Sequence, residues 1–112
     1  MTKCRKIDMA TFTIHQLDRD LSETSLNDFY RLSFNADRYT PEDFKFFNPV
    51  ARVEANDMDH VFELTNLWNN KDAVRRFMPM HSLSVGDIIE THTGEHAYYI
   101  VADCGFDRVE IA

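Results

Sequence analysis

The sequence predicts a single small α+β domain in which helices pack on an antiparallel sheet with a C-terminal β-meander. Two observations lead to this fold class. Apolar residues recur with period two, then at helical spacing, and again with period two along the chain. The 112 residues, of which 44% are hydrophobic and 28% charged, have the length and composition of one globular domain. We therefore expect one domain over residues 1–112, with residues 1–8 as a flexible extension.

The N-terminal half predicts one strand and two helical segments. Apolar and polar residues alternate over residues 10–15, which is typical of a half-buried strand. A polar capping cluster at residues 22–25 precedes apolar residues at helical spacing, so we expect an amphipathic helix over residues 25–34. Thr40 as N-cap and Pro41 as first helical residue predict a second, short helical turn.

The middle of the chain predicts a strand followed by a longer helix. Residues 51–55 alternate between apolar and charged, and Asn56–Asp57 then offers an N-cap for a helix that ends at Asn69–Asn70. Residues 71–78 have Val74, Phe77 and Met78 at a spacing that predicts a further helical turn. The basic pair at 75–76 would lie on its solvated face.

The last third of the chain predicts β-structure. Strand-forming residues occupy 88–91 and 97–101, and apolar and charged residues alternate over 108–111. Turn signals separate these segments: Gly86–Asp87 before the first, Thr93–Gly94 after it, and Asp103–Gly105 before the last. Neighbouring strands joined by short turns form an antiparallel meander.

The charge balance excludes several classes of function. The chain carries 12 basic and 19 acidic residues, a net charge of −7. A protein that binds the nucleic-acid backbone or an anionic membrane needs clustered Lys and Arg, so we expect neither partner. Residues 57–112 hold 4 basic and 10 acidic side chains, whereas residues 1–56 are almost neutral with 8 and 9. The acidity therefore belongs to the second half.

Targeting and redox signals point to a cytoplasmic protein. No apolar run approaches the roughly 20 residues that cross a bilayer. Residues 1–8 are followed by no apolar segment of the kind that a secretory signal contains. Without an export signal, Cys4 and Cys104 are expected to be reduced thiols.

The best metal-like cluster in the sequence is formed by Glu90, His92 and His96. Two imidazoles and a carboxylate are suitable ligands for a first-row transition metal. Their spacing falls on a β-turn rather than on a helix, and no further Cys or His lies nearby in the sequence. The favoured interpretation is a solvated hairpin tip without metal or cofactor, and whether the three side chains converge is left open.

Two other candidate sites are disfavoured. Cys104 as a nucleophile lacks a helix N-terminus or a basic neighbour, and Asp103 beside it would raise the thiol pKa. Gly86–Asp87 as a phosphate cradle lacks a glycine-rich loop, since the chain holds three glycines. No catalytic residue is assigned, and the chain is expected not to be an enzyme.

Aromatic residues supply the candidate partner-binding surface. Phe44, Phe46 and Phe47 surround Lys45 without a basic patch, which favours hydrophobic core or a protein contact over base stacking. As contact residues for a protein partner we select these three phenylalanines, taken as exposed, together with Trp68.

A motif block in the C-terminal half resembles a known module. Ser82–Ile89 reads Ser-Leu-Ser-Val-Gly-Asp-Ile-Ile, residues 97–101 are Tyr-rich, and residues 105–109 begin with Gly-Phe. This block resembles the YodL-like module, a small domain in proteins of mobile elements. The strand and helix over residues 50–66 are similar to those of hypothetical phage and plasmid proteins, so the resemblance covers residues 50–112. It implies a phage or mobile-element source and a bacterial cytoplasm, with no activity to transfer.

The recurring positions of this block have structural explanations. Gly86 and Gly105 suit turns that require a positive φ. Asp87 is expected to cap its own turn, and Phe106 to fill the core.

Taken as a whole, the sequence predicts a small non-enzymatic accessory protein that binds a protein partner, for which a protein of the host is one candidate. One alternative is an acidic DNA mimic that inhibits a nucleic-acid-binding protein. The other is a metal-binding protein that uses His92 and His96. The sequence leaves the partner and the oligomeric state open.

Overall fold

The computed structural model describes residues 10–18, 26–33, 35–66 and 74–112. In chain order the elements are β1 (Ala10–Leu17), α1 (Leu26–Leu32), two 3-10 helices (Ala36–Arg38 and Pro41–Phe46), β2 (Phe47–Ala55), α2 (Met58–Thr65), β3 (Val74–Arg76), β4 (Ile88–Thr91), β5 (Ala97–Val101) and β6 (Phe106–Val109). The strands form one sheet in the order β3-β2-β1-β4-β5-β6, and every pair in it is antiparallel. This confirms the α+β class, and β4, β5 and β6 form the expected C-terminal meander.

Both faces of the sheet are buried. Successive side chains of a strand point to opposite faces, and two neighbouring residues of β4 accordingly belong to different core clusters. Ile89 belongs to a core cluster with Val61 and Leu64 of α2. Its neighbour Ile88 belongs to a second cluster with Leu32 of α1, which is extended by half-buried aromatic residues of the second 3-10 helix. Thus α2 covers one face of the sheet, and α1 with the 3-10 helices covers the other.

Local capping signals determine where two of the helical segments begin. The side chain of Asp57 accepts a hydrogen bond from the backbone N–H of His60 at 2.9 Å, as expected for an N-cap. Pro41 begins the second 3-10 helix after Thr40, whose N–H and hydroxyl both donate to Asp43 at 2.9 Å. The capping cluster at 22–25 and Asn69–Asn70 lie outside the described residues. Helix α2 nevertheless ends at Thr65 with Asn66 as its C-cap, so the helix end predicted at Asn69–Asn70 is wrong.

The helical turn expected over residues 71–78 is wrong where that segment is described. Val74–Arg76 is the edge strand β3, in which Val74 pairs with Val53 and is buried, while Arg75 and Arg76 are exposed. The backbone N–H of Phe77 extends this pairing by donating to the carbonyl of Val50 at 2.8 Å. Backbone pairing with β2 therefore overrides the local helical spacing.

Strand β2 begins four residues earlier than the sequence predicts. Its pairing with β1 shifts register between Ile14 and His15, where His15 lies opposite Pro49. A bulge of this kind tolerates a proline, which has no N–H to donate to a ladder. The strand consequently extends back through Pro49 to Phe47.

Candidate metal centre

Three adjacent strands place one row of polar side chains on the sheet face covered by the 3-10 helices. Thr13 on β1 lies opposite Glu90 on β4, which in turn lies opposite Tyr98 on β5. His15 follows Thr13 by two residues and therefore points to the same face. His92 and His96 come from the loop that joins β4 to β5.

Glu90 is the centre of this cluster because both of its carboxylate oxygens accept hydrogen bonds. The Nε2 of His15 lies 2.8 Å from Oε1. On the other oxygen, Oε2, the Nε2 of His96 lies at 2.6 Å and the hydroxyl of Tyr98 donates at 3.2 Å. The Nε2 of His92 lies 3.9 Å from the same oxygen.

The hairpin loop is held in a shape that brings the two exposed imidazoles together. Gly94 has a φ of 78°, which permits the tight chain reversal. Thr91 fixes the base of the loop: its hydroxyl donates to the carbonyl of Glu95 at 2.7 Å and accepts from the N–H of Ala97 at 3.0 Å. In this geometry the rings of His92 and His96 stack with their centroids 5.6 Å apart.

Burial differs sharply within the cluster. The side chain of Glu90 exposes 13% of its surface, whereas those of His92 and His96 expose 39% and 57%. Burial alone would raise the pKa of Glu90, but the hydrogen bonds from His96 and His15 outweigh it and hold the pKa below its usual value. Glu90 is therefore an ionised carboxylate at neutral pH, with the imidazoles on its open side.

His15 supports Glu90 from inside the protein. Burial lowers the pKa of His15, more than the hydrogen bond to Glu90 raises it, so the ring is neutral at pH 7. Because a carboxylate only accepts, Nε2 carries the proton, and the buried Nδ1 has no hydrogen-bond partner within the described part of the chain. The ring packs against Phe44 and Tyr98, at centroid distances of 5.0 and 6.1 Å.

The cluster brings three potential metal ligands close to one another. One ligand atom each from Glu90, His92 and His96 lies within 4.8 Å of the others. Zinc bonds to nitrogen and oxygen of about 2.1 Å place tetrahedral ligands roughly 3.4 Å apart, so small side-chain movements would complete the set. His92 would exchange its present neighbour, the hydroxyl of Thr13 at 2.7 Å, for the ion.

Sequence reasoning found three members of this cluster and missed three. Glu90, His92 and His96 converge, and His92 and His96 are exposed as expected for a hairpin tip, but Glu90 is largely buried. Thr13, His15 and Tyr98 were missed. No local signal links Thr13 and His15 to the cluster, since they reach His92 and Glu90 only across the sheet and across more than seventy residues of chain. Tyr98 pairs with Glu90 within the β4–β5 hairpin, and its place depends on the register of that hairpin.

The expectation that Phe44, Phe46 and Phe47 form an exposed segment is wrong. Phe47 exposes 7% of its surface and belongs to the second core cluster. Phe44 and Phe46 are half-buried against the same cluster, and Phe44 stacks on Phe47 at 6.4 Å. The physical reason is that Phe47 is the first residue of β2, and its side chain lies on the sheet face that α1 and the 3-10 helices cover. Trp68 lies outside the described residues.

The other candidate residues lie in or beside the turns before β4 and β6, and Phe106 is the first residue of β6. Gly86 and Gly105 have φ values of 97° and 93°. Asp87 accepts a hydrogen bond from the N–H of Ser84 at 3.0 Å, and Phe106 packs against the first core cluster. Cys104 is an exposed free thiol.

Comparison with protein-family models, curated proteins and solved structures found no match to this chain. The resemblance of residues 50–112 to the YodL-like module therefore stays a prediction from the sequence. Among the residues that the structure describes, no helix has the length and apolar character needed to span a membrane.

Proposed function

We propose that the protein binds a divalent transition-metal ion through Glu90, His92 and His96. The observation that carries this proposal is the convergence of an ionised carboxylate on β4 and two imidazoles of the β4–β5 loop within 4.8 Å of one another. This proposal departs from the expected absence of a metal or cofactor, and it develops the alternative in which His92 and His96 bind metal.

The ligand types define the class of metal. Imidazole nitrogen with one carboxylate oxygen suits Zn²⁺, Fe²⁺, Ni²⁺ and Cu²⁺ better than Mg²⁺ or Ca²⁺, which prefer oxygen ligands. Three protein ligands leave further coordination positions for water or a second molecule. His15 would orient Glu90 from behind through its hydrogen bond to Oε1.

Calorimetric titration with ZnCl₂ in the presence of a non-chelating reductant tests this proposal. We expect one bound Zn²⁺ per chain, and at least about a hundredfold weaker binding for H92A and H96A, because ligand loss exceeds the 10–100-fold effect of outer-shell changes. The matched control is H60A, which removes an imidazole on α2 and should leave Zn²⁺ binding unchanged. Absence of binding by the wild-type chain, or equal loss in H60A, would overturn the proposal.

A second candidate function is the binding of a basic, amphipathic segment of a protein partner. A groove of about 350 Å³ lies between α2 and the turn that precedes β6. Its lining includes the apolar side chains of Phe62 and Phe106 and the acidic side chains of Asp59, Glu63 and Asp103. Among the described lining residues none is Lys or Arg.

Charge and shape of this groove favour one kind of occupant. An adjoining groove of about 260 Å³ shares Asp103 and adds Asp37 and Asp107, so the acidic surface continues beyond the first groove. Phe62 exposes 38% of its surface there. A segment with an apolar face and flanking Lys or Arg side chains complements both features.

Fluorescence anisotropy with a synthetic amphipathic Leu/Lys helix tests this second candidate. We expect binding that weakens in F62S and D103N but not in the control E54Q, which removes an exposed carboxylate on β2. A Leu/Glu helix should not bind. If oligolysine binds as tightly and salt abolishes all binding, the surface acts as a nucleic-acid mimic and the groove proposal is wrong.

For either function, the source and compartment that we propose are those that the sequence favours. We propose a small accessory protein of a phage or mobile element, acting in the bacterial cytoplasm. The motif block over residues 82–109 and the acidic C-terminal half support this assignment. Detection of the protein in the cytoplasmic fraction of its bacterial host would test it.

A further inference from the structure

A cavity of about 430 Å³ lies between α1 and the segment that leads into β4, away from the Glu90 cluster. Its walls are mainly apolar, with Leu17, Phe29, Tyr30 and Leu32 among the lining residues. This volume falls within the range of small-molecule sites, which combine apolar walls with a few fixed polar groups.

The polar side of the cavity is built on two buried side chains. Asp87 lines the cavity, and Gln16 beside it donates to the Asp87 carboxylate at 3.0 Å and to the carbonyl of His81 at 3.0 Å. The exposed fractions of Gln16 and Asp87 are 2% and 5%. The carboxylate also accepts from the N–H of Ser84 at 3.0 Å, which connects this segment through Asp87 to Gln16 on β1.

Two residues that line the cavity, Ser84 and His81, each have a side-chain atom without a hydrogen-bond partner among the described residues. The hydroxyl oxygen of Ser84 is buried and unpaired in this part of the chain, so a ligand in the cavity would reach it only after a change of the Ser84 rotamer. His81 lies 2.7 Å from the carbonyl of Ser82 through Nδ1, which must therefore carry a proton. In the neutral ring Nε2 then has a lone pair, and no partner for it occurs among the described residues. A buried unpaired hydroxyl lowers stability, and a bound ligand that accepts its hydrogen bond would offset that cost.

We propose that this cavity binds a small, uncharged, largely apolar molecule that has a hydrogen-bond acceptor for Ser84 and a donor for His81. A neutral aromatic amide or heterocycle has this combination. Anionic ligands such as phosphates and carboxylates are disfavoured, because Asp87 is in the lining and none of the described lining residues is Lys or Arg. This inference is independent of the metal site.

Three aromatic probes of similar size but different charge test the proposal: benzamide, benzoate and benzylamine. The readout is the shift of the backbone amide signals of residues 81–87 in a two-dimensional NMR titration. We expect benzamide to shift these signals with a dissociation constant on the order of 1 mM, as suits a fragment of this size. Benzoate should bind at least about tenfold more weakly. Tighter binding of benzylamine, or no shift with benzamide, would overturn the proposal.

The variant S84A separates a ligand-binding role from a structural one. Removal of an unpaired buried hydroxyl should leave the melting temperature unchanged or higher. Benzamide binding should weaken roughly five- to tenfold, the effect of one lost hydrogen bond. S82A is the matched control, because Ser82 lies two residues before Ser84 but is not among the lining residues. Equal benzamide affinity in wild type and S84A would contradict the proposed contact.

Discussion

The guanidinium of Arg31 on α1 donates to both carboxylate oxygens of Asp43 in the second 3-10 helix, at 2.9 and 3.1 Å. Arg31 also contacts Asp28 at 2.9 Å, and Thr40 donates twice to Asp43. Helix α1 has seven residues, too few to be stable without tertiary contacts. The Arg31–Asp43 pair therefore attaches α1 to the segment that covers the second core.

Replacement of Asp43 should release this attachment. D43N keeps the shape of the side chain but removes the charge that pairs with Arg31. We expect a loss of about 2 kcal/mol in the free energy of unfolding, because hydrogen bonds to a charged group contribute about 1.5–3 kcal/mol. Urea unfolding at pH 7 measures it. D28N is the control, with an expected loss below about 1 kcal/mol for a more exposed pair. Equal effects would show that Asp43 has no special role.

The same carboxylate should make the fold sensitive to acid. Burial raises the pKa of Asp43, but hydrogen bonds from Arg31 and Thr40 outweigh it and hold the pKa below the usual value. The unfolded chain therefore binds this proton first as the pH falls. The stabilisation is complete above the ordinary Asp pKa near 4 and is lost as the pH falls through the lowered one.

Urea unfolding between about pH 5 and pH 2 measures this acid dependence. The wild-type free energy of unfolding should fall more steeply than that of D43N. Asp28, Glu42 and Tyr39 are the other titratable groups that act on this site. The slope should not vanish in D43N, because Glu90 also has a lowered pKa. Identical slopes for the two proteins would contradict the assignment.

Tyr39 should produce the opposite dependence in alkali. Burial, with the carboxylates of Asp43 and Glu42, raises the pKa of Tyr39 to about 12. The phenol of Tyr39 in the unfolded chain ionises near pH 10. The contribution of Tyr39 to the free energy of unfolding is therefore complete below that pH and is lost as the pH rises towards 12. Y39F should lose about 1 kcal/mol at pH 7, since Tyr39 donates to the carbonyl of Glu110, but should decline less between pH 10 and 12. An equal decline in the free energy of unfolding of wild type and Y39F over this pH range would contradict the role assigned to Tyr39.

Elements with local signals were predictable from the sequence. The alternation in β1, the Asp57 cap and the Thr40–Pro41 start all depend on residues within one or two turns of each other. Strand β3 was not predictable in this way, because Val74 and its neighbours form a strand only beside β2. The burial of Phe47 was missed for a related reason, since the strand continues through Pro49 only with a bulge.

The candidate site shows the same division. Glu90, His92 and His96 lie within seven consecutive residues and could be recognised as possible ligands. Their convergence depends on the tight turn at Gly94, and the low pKa of Glu90 depends partly on His15, 75 positions away. Sequence could therefore propose the ligands but not the buried partner that holds the carboxylate.

If His15 positions Glu90 for metal binding, the Zn²⁺ affinity should depend on the hydrogen-bond donor at Nε2 of His15. H15F removes the donor, and we expect Zn²⁺ affinity to fall about tenfold, as is usual for loss of an outer-shell partner. H15Q places an amide nitrogen near the position of Nε2 and should restore most of that affinity. Calorimetry measures the affinity, and circular dichroism confirms folding. Equal losses in H15F and H15Q would indicate a packing role only.

The turn at Gly94 offers a final test, because its backbone can be strained without any steric clash. Gly94 has a φ of 78°, and a Cβ at this position would meet no atom within 4 Å. G94A should therefore lose only the backbone term, about 1 kcal/mol. G94N should lose less, since Asn tolerates a positive φ.

Thermal unfolding and Zn²⁺ titration of the same two variants check whether the turn also sets the ligand geometry. Strain in G94A is relieved by a wider loop, which would separate His92 from His96 and weaken Zn²⁺ binding more than in G94N. G105A is the control, because Gly105 has a similar φ of 93° and open space but lies in the turn before β6. It should lose comparable stability with unchanged Zn²⁺ affinity, and a loss of affinity in G105A would mean that stability alone governs binding.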